Sequence, residues 1–247
     1  MKNVIMRRHS LPMLLGVMAV ALCPAVLRAD ETNHWRFDSS LNLFLAGMSG
    51  DVAVKGIPAS VDADFGDIAK NLDFAAAGRL TLGYDQWSFS TEFSYLKLGA
   101  SGSAGSVEQK QWLVEPSVGY RFCHYFEGFA GARYNSIEAD LDLNLPPGQV
   151  RGGTQDWWDP IVGVNLSCPL VRDKLSFDGR FDVGGFGAGS DITWQAFPYF
   201  NWRFAKSASL QAGYRWLGTD YETGSGLNRF RYDVVLAGPQ IGLTIHL

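Results

Sequence analysis

The chain has 247 residues, a formal net charge of −4 and interspersed acids and bases, which argues against a nucleic acid-binding protein. Aromatic residues make up 13% of it and glycine occurs 28 times, a mixture that suits strands and turns better than helices. After the N-terminal region, no stretch reaches the roughly 18 consecutive apolar residues that a membrane-spanning helix needs. The composition therefore favours a single all-β domain.

The N-terminal region has the pattern of a secretory signal peptide. A basic segment ending at Arg8 precedes an apolar run from Leu11 to Val26, and Ala29 supplies the small residue expected before a cleavage site. We expect residues 1–29 to be removed during export. Residues 30–247 are expected to form one domain, because no composition shift divides them.

Ten segments of the remaining chain alternate apolar with polar residues, a period of two that marks strands with one apolar face. This alternation also explains why the mean hydropathy is only −0.03. The strands are expected near residues 36–52, 74–84, 87–97, 107–122, 126–143, 155–168, 175–183, 191–204, 209–221 and 230–247. Eight or twelve strands are the alternatives if one hairpin has been assigned wrongly.

The connection between the first two strands, Ala53 to Asp73, contains a short helical pattern. Phe65, Ile68 and Leu72 recur at helical spacing behind Asp64, which predicts an amphipathic helix. Such a helix serves either as a lid or membrane-surface foot, or as part of a loop that buries its own small apolar cluster. We favour the buried cluster.

The last strand carries a motif at its C-terminal end. From Gln240 to Leu247 every odd position is apolar, and glycine stands at position 242. With Gln240, Gly242, Ile245 and Leu247 in the polar, glycine and apolar positions, the segment resembles the C-terminal assembly signal of bacterial outer-membrane β-barrels. It departs from that signal at Leu247, where the family usually has Phe.

The whole pattern resembles the small outer-membrane β-barrel superfamily that includes the OmpA transmembrane domain, OmpX, OmpW and Opa-type proteins. The resemblance implies a closed antiparallel transmembrane barrel in the outer membrane of a Gram-negative bacterium, reached through the periplasm. It also implies contact with outer-membrane lipid and lipopolysaccharide, and with the barrel-assembly machinery during biogenesis. These families have structural, adhesive or small-solute roles, and the fold does not choose among them.

Alternation alone also fits a secreted, soluble lipocalin-like binding barrel, whose apolar face points inward. Two patterns favour the membrane barrel. Connections after the second, fourth, sixth and eighth strands are short and most others are long, as periplasmic turns and external loops are. Large aromatic residues also recur at both ends of the apolar face, as in interfacial girdles. They are Tyr84, Trp87, Tyr120, Phe122, Trp202 and Phe204 near the short turns, and Trp112, Tyr134, Trp158, Trp194 and Trp216 towards the other rim.

In a membrane barrel the polar face lines the lumen, where it collects six arginines and six acids. They are Arg79, Glu92, Glu115, Arg121, Glu127, Arg133, Asp159, Asp178, Arg180, Asp182, Arg203 and Arg215. A barrel of about ten strands is little wider than side chains can fill, and unpaired buried charges are costly. We therefore expect a paired, hydrogen-bonded network. The alternative is a narrow water-filled pore whose selectivity these charges set.

Catalytic, cofactor and metal sites are not expected. The four histidines are His9 in the signal peptide and His34, His124 and His246 at the periplasmic end, so none can act at the outer rim, where outer-membrane enzymes place theirs. The acidic segment Asp62 to Asp67 lacks the glycine that an EF-hand loop needs at its sixth position.

Two cysteines remain after the predicted signal peptide, Cys123 and Cys168, each beside a short turn on the same side of the barrel. The oxidising periplasm permits a disulfide between them, provided that their Cα atoms lie within about 6 Å of each other. The sequence leaves this pairing open.

The leading hypothesis is a non-enzymatic outer-membrane barrel with a structural or adhesin-like role. Its external loops, above all residues 53–73 and 144–154, would meet an environmental or host ligand. A narrow porin-like channel for small solutes or ions is the first alternative. The soluble lipocalin-like barrel is the second.

Overall fold

The computed structural model describes residues 35–54, 57–63, 65–70, 72–102, 105–143 and 150–247, so the predicted signal peptide lies outside the described residues. The elements in chain order are β1 (Trp35–Phe44), β2 (Gly47–Val54), β3 (Ile57–Ala63), α1 (Phe65–Lys70), β4 (Leu72–Tyr84), β5 (Trp87–Gly102), β6 (Gly105–Cys123), β7 (Phe126–Leu143), β8 (Val150–Val171), β9 (Leu175–Gly185), β10 (Ile192–Ala205), β11 (Ala208–Thr223) and β12 (Phe230–His246). Within these ranges, no helix has both the length and the apolar character to span a membrane.

Ten of the strands form a closed antiparallel barrel, which confirms the predicted fold class and strand number. The wall runs β1, β4 and then β5 to β12 in chain order, and it closes where β1 pairs with β12. The closing register extends from Asp38 opposite His246 to Phe44 opposite Gln240. Closure gives every wall strand two neighbours, so backbone groups at membrane depth have hydrogen-bond partners.

The predicted first strand is interrupted at Leu45, and the second piece forms an extension of the sheet. Before the break, β1 pairs with β12 and β4. After it, β2 pairs with β12 and with β3. Gly238 on β12 permits the break, since a Cβ at that position would lie 2.1 Å from the Leu45 carbonyl oxygen. The sequence did not predict β3, but the predicted helix is present as α1.

Side chains sort by face as alternation predicted, with the apolar residues on the outside. On β12 the side chain of Gln240 is 3% exposed, whereas those of its neighbours Ile241 and Leu243 are 45% and 42% exposed. Arg133 and Asp159 are completely buried in the lumen. A water-soluble barrel does not present a continuous apolar exterior around a charged interior, so the lipocalin-like alternative is wrong.

Aromatic rings form a girdle at each end of the apolar band. At one end Trp35 contacts Tyr84 with ring centroids 4.6 Å apart, and Trp87 contacts Tyr120 at 5.0 Å. At the other end contacts join Tyr95 to Trp112, Tyr134 to Trp158 and Tyr214 to Trp216. Along β5 the girdles are separated by Trp87 to Tyr95, which matches the roughly 9 to 11 residues that a tilted strand needs to cross a bilayer.

The two ends of the barrel differ in their connections. One end, called here the turn end, carries the short turns after β4, β6, β8 and β10, together with the C-terminus. The opposite end, called the loop end, carries the strand extensions. β5 and β6 continue beyond the bounds that the sequence predicted for them and pair as far as Gly102 opposite Gly105.

Substituting a lipid-facing residue near the middle of the band tests this sorting of faces. Val162, which is 48% exposed, lies on the apolar face between the two girdles. We expect Val162→Arg to lower the free energy of unfolding by about 2–4 kcal/mol, measured by urea titration in lipid vesicles.

The matched control is Asp156→Arg, on the same strand and face but beyond Trp158, where the arginine stands in water. Its effect should stay within about 0.5 kcal/mol. Equal effects of the two substitutions would show that this face is not in contact with lipid.

Candidate functional site

The lumen is the candidate site, because it collects most of the charged residues that the sequence singled out. It contains three layers. The vestibule is a polar cavity at the turn end, the ion cluster lies above it, and an apolar cluster fills the loop end. Each layer consists of inward-facing residues from several strands.

The ion cluster consists of three arginines and three acids whose charges balance. All six carboxylate oxygens are paired with guanidinium nitrogens. Arg133 pairs through Nε with Glu115 Oε1 at 2.7 Å and through Nη2 with Asp182 Oδ1 at 2.8 Å. Arg180 pairs through Nη2 with Glu115 Oε2 at 2.7 Å, through Nε with Asp182 Oδ2 at 3.1 Å and through Nη1 with Glu92 Oε2 at 3.0 Å. Arg215 pairs through Nη1 with Glu92 Oε1 at 2.6 Å.

Neutral side chains add hydrogen bonds to two of these arginines, and they were not among the predicted lumen residues; Arg215 Nε has no hydrogen-bond partner among the described residues. Arg133 Nη1 donates to Thr193 Oγ1 at 2.7 Å, and Arg215 Nη2 donates to Gln195 Oε1 at 2.6 Å. Both acceptors lie on β10 at alternate positions that face the lumen, and this alternation is the signal that could have identified them. A buried network with so many charged hydrogen bonds holds its strands in one arrangement.

An aromatic contact also orients Arg180. Its guanidinium carbon lies 4.9 Å from the centroid of the Phe129 ring. That ring needs Gly163 opposite it, because a Cβ at position 163 would lie 2.5 Å from Phe129 Cζ. The lumen-facing glycine thus makes room for the group that supports the arginine.

The other predicted lumen residues lie outside this cluster. Asp159 accepts hydrogen bonds from Trp157 Nε1 at 3.0 Å and from the Ser190 backbone N–H at 2.6 Å. Four of the others have neutral partners, are only partly buried or do not enter the lumen. Asp178 accepts hydrogen bonds from Ser167 and Ser176, Glu127 accepts one from Asn165, Arg121 is partly buried, and Arg203 is exposed beside the β10–β11 turn.

Arg203 was therefore wrongly assigned to the lumen network. The register of β10 against β11 shifts between Arg203 and Ala205, next to the turn. Alternation predicts on which face of the sheet a residue lies but not how far along the barrel axis it lies. At the height of the β10–β11 turn, the Arg203 side chain is in solvent.

The apolar cluster at the loop end was not predicted. Its buried members are Met48, Ile137, Trp157, Tyr221, Tyr232 and Val234. The rings of Trp157 and Tyr221 stack with centroids 3.9 Å apart and planes 6° apart. Val61 of β3 and Ile68 of α1 pack against the cluster, so the loop buries apolar residues as we expected. The sequence signal for this cluster was that, beyond the girdle, the alternate strand positions that face the lumen become apolar.

The vestibule occupies about 180 Å³ and is lined mainly by polar groups. A chain of hydrogen bonds crosses its wall from β11 to β1: Ser209 Oγ lies 3.0 Å from His246 Nε2, and His246 Nδ1 lies 2.7 Å from Asp38 Oδ1. The order Ser, His, Asp is that of a hydrolase triad. However, Ser209 is only 2% exposed, and it lies within a strand whose backbone N–H groups form the sheet ladder.

The C-terminal residues that resemble an assembly signal form part of the barrel seam. Gln240 is buried and accepts a hydrogen bond from Arg215 Nη1 at 3.2 Å. Gly242 lies between Asn42 and Gln211, where a Cβ would approach both side chains to 2.3 Å. Ile245 and Leu247 are exposed on the apolar face, at 40% and 77%.

The disulfide considered between Cys123 and Cys168 is absent, because Cys168 is a free, exposed thiol. Cys123 lies on β6 opposite Phe126, and β7 separates it from the strand of Cys168. Two strand spacings amount to about 9.6 Å, which exceeds the reach of a disulfide. Among the described residues, no group of three or more His, Cys, Asp or Glu could hold a metal ion.

An exposed ion pair fixes the connection between β11 and β12 at the loop end. Arg229 Nε and Nη2 donate to the two carboxylate oxygens of Glu222 at 2.7 and 3.0 Å. These hydrogen bonds lower the pKa of the Glu222 carboxyl. Beside them, a short 3₁₀ turn spans Gly226–Asn228.

No protein-family model and no curated protein sequence matches this chain. Among solved structures, it is similar to Ail, the attachment invasion locus protein of Yersinia pestis, with a TM-score of 0.42 and 11% identity over 87% of this chain and 100% of that one. For the translocator domain of autotransporter NalP from Neisseria meningitidis, the TM-score is 0.44 and the identity is 13%, over 94% of this chain and 92% of that one. For a Pseudomonas aeruginosa FadL homologue, the TM-score is 0.39 and the identity is 8%, over 87% of this chain and 90% of that one.

Breaking the ion cluster should destabilise the barrel. Glu115→Gln keeps the shape of the side chain but leaves Arg133 and Arg180 each short of a carboxylate in a buried site. We expect the free energy of unfolding to fall by about 3–5 kcal/mol in a urea titration.

Glu138→Gln is the matched control, because Glu138 pairs with Lys110 at 3.3 Å in a partly exposed position. Its effect should be at most about 1 kcal/mol. If Glu115→Gln cost no more than the control, the cluster would not hold the wall together.

Proposed function

We propose that this chain is a non-enzymatic, non-conducting barrel of the outer membrane that presents its loop end at the cell surface in a structural or adhesive role. The observation that carries the proposal is the obstruction of the lumen at two depths. The ion cluster fills the middle of the lumen, and the apolar cluster fills it again beneath β3 and α1.

The location is inferred from the surface of the barrel. Its apolar exterior, bounded by two aromatic girdles, requires a bilayer, and barrels of this kind place short turns in the periplasm and longer segments outside. The turn end is therefore assigned to the periplasm. Outer-membrane lipid, lipopolysaccharide and the assembly machinery are the partners that this location supplies.

Surface presentation is supported by the height of the strands at the loop end. β7 runs on to Leu143 beyond Tyr134 of the girdle, and β8 begins at Val150, well before Trp158. At about 3.3 Å per residue this hairpin extends roughly 20–30 Å along the strand direction beyond the membrane. Such a projection offers area to a macromolecular partner, whereas a bare structural barrel needs only short connections.

Catalysis finds little support in the same geometry. The Ser209, His246 and Asp38 chain lies in the wall at the turn end, and its serine is buried. Acyl transfer needs donors aimed at a developing oxyanion, whereas the N–H groups around Ser209 serve the sheet. We infer that the chain locks the β1–β12 seam.

Planar bilayer recordings test whether the lumen conducts. The purified protein should give no reproducible current steps, with a general porin reconstituted in parallel as the positive control. Trp157→Ala should also remain silent, because the ion cluster still blocks the lumen beneath the removed ring. Regular steps from the wild-type protein would overturn the non-conducting assignment and favour the narrow channel.

Thiol labelling of intact cells tests which end faces outward. In a Cys123→Ser background, the natural Cys168 at the turn end should resist a maleimide carrying a large polymer, and become reactive after the outer membrane is opened. In a variant lacking both cysteines, Ser225→Cys at the loop end should react in intact cells. The reverse labelling pattern would invert the proposed orientation.

A further inference from the structure

The vestibule contains an arginine that has only a long ion pair with the ion cluster. Arg79 of β4 lines the cavity next to Glu92 and Arg180. Its closest carboxylate contact runs from Nε to Glu92 Oε2, at 3.9 Å, beyond hydrogen-bonding distance. That same oxygen already accepts a hydrogen bond from Arg180 Nη1 at 3.0 Å.

The charge count makes Arg79 a surplus cation. Glu92, Glu115 and Asp182 offer six oxygens, and Arg133, Arg180 and Arg215 occupy all of them. Asp159 and Asp178 accept hydrogen bonds from neutral donors, and Asp178 lies opposite Tyr199 in the wall beside the cavity. Arg79 Nε is buried and has no hydrogen-bond partner among the described residues.

The other charged groups of the vestibule are also engaged. Asp38 is paired with His246 Nδ1 at 2.7 Å and with Arg36 Nε at 3.1 Å near the mouth of the cavity. The rest of the lining is mostly amide and hydroxyl groups. They include Ser40, Asn42, Thr81, Tyr199, Asn201, Gln211, Gln240 and Thr244.

We propose that the vestibule binds a small oxyanion, a phosphate or a short carboxylate, against Arg79 from the periplasmic side. A guanidinium presents donors in a planar fork that matches two oxygens of such an anion, and here the anion would supply the charge that the protein does not. The cavity volume of about 180 Å³ admits a molecule of this size but not a lipid headgroup with its acyl chains. The anion is bound rather than conducted, because the ion cluster closes the lumen above it.

Phosphate binding to the full folded chain in detergent micelles tests the proposal. Inorganic phosphate is titrated at pH 7.5 and constant ionic strength, followed by phosphorus NMR line width and by calorimetry, and acetate is titrated separately to distinguish phosphate from carboxylate preference. Saturable binding of either probe is expected, with Kd on the order of millimolar.

Arg79→Gln should weaken that binding at least tenfold, whereas Arg79→Lys should retain part of it. Arg203→Gln, which removes an exposed arginine outside the cavity, is the matched control and should bind as the wild type does. Ser40→Met keeps Arg79 but fills part of the cavity, and it should also reduce binding, which guards against a folding defect peculiar to position 79.

Absence of saturable binding to the wild type, or equal binding by Arg79→Gln, would overturn the site. The proposed function fails separately, because a conducting wild type would contradict it whether or not phosphate binds.

Discussion

The pairing of three arginines with three acids inside the barrel is the interaction on which the rest of the structure depends. The six side chains come from β5, β6, β7, β9 and β11, so the cluster ties together strands that are not neighbours in the wall. Ladder hydrogen bonds hold each strand to the next but do not fix the shape of the cross-section. Charge pairs across the lumen do, since removing one partner leaves an uncompensated buried charge.

The sequence predicted the parts of this fold that depend on alternation. A period of two fixes the face of every residue along a strand, so the ten wall strands, the two girdles and the lumen position of Glu115 or Arg180 followed directly. It does not fix the stagger between strands, and without the stagger the depth of a residue is unknown. That is why Arg203 was placed in the network.

Other features could not be predicted from the sequence, because they depend on contacts between residues that are distant in sequence. β3 is a short strand with no strong alternation, and it forms because β2 bends away from β4 at Leu45 and offers an edge. The apolar cluster at the loop end combines residues from β2, β7, β8, β11 and β12, none of which is unusual alone. In both cases the determining interaction is a tertiary contact, which composition and spacing do not record.

The ion cluster and the apolar cluster differ in chemistry, and β12 contacts both. Gln240 accepts a hydrogen bond from the ion cluster, and Tyr232 and Val234 belong to the apolar cluster. Charged groups resist displacement because each one needs its partner, whereas the apolar cluster resists the entry of water because it offers water few hydrogen bonds. An ion crossing the barrel would have to disturb both layers along one continuous strand. The strand that closes the wall thus also contacts both of the clusters inside it.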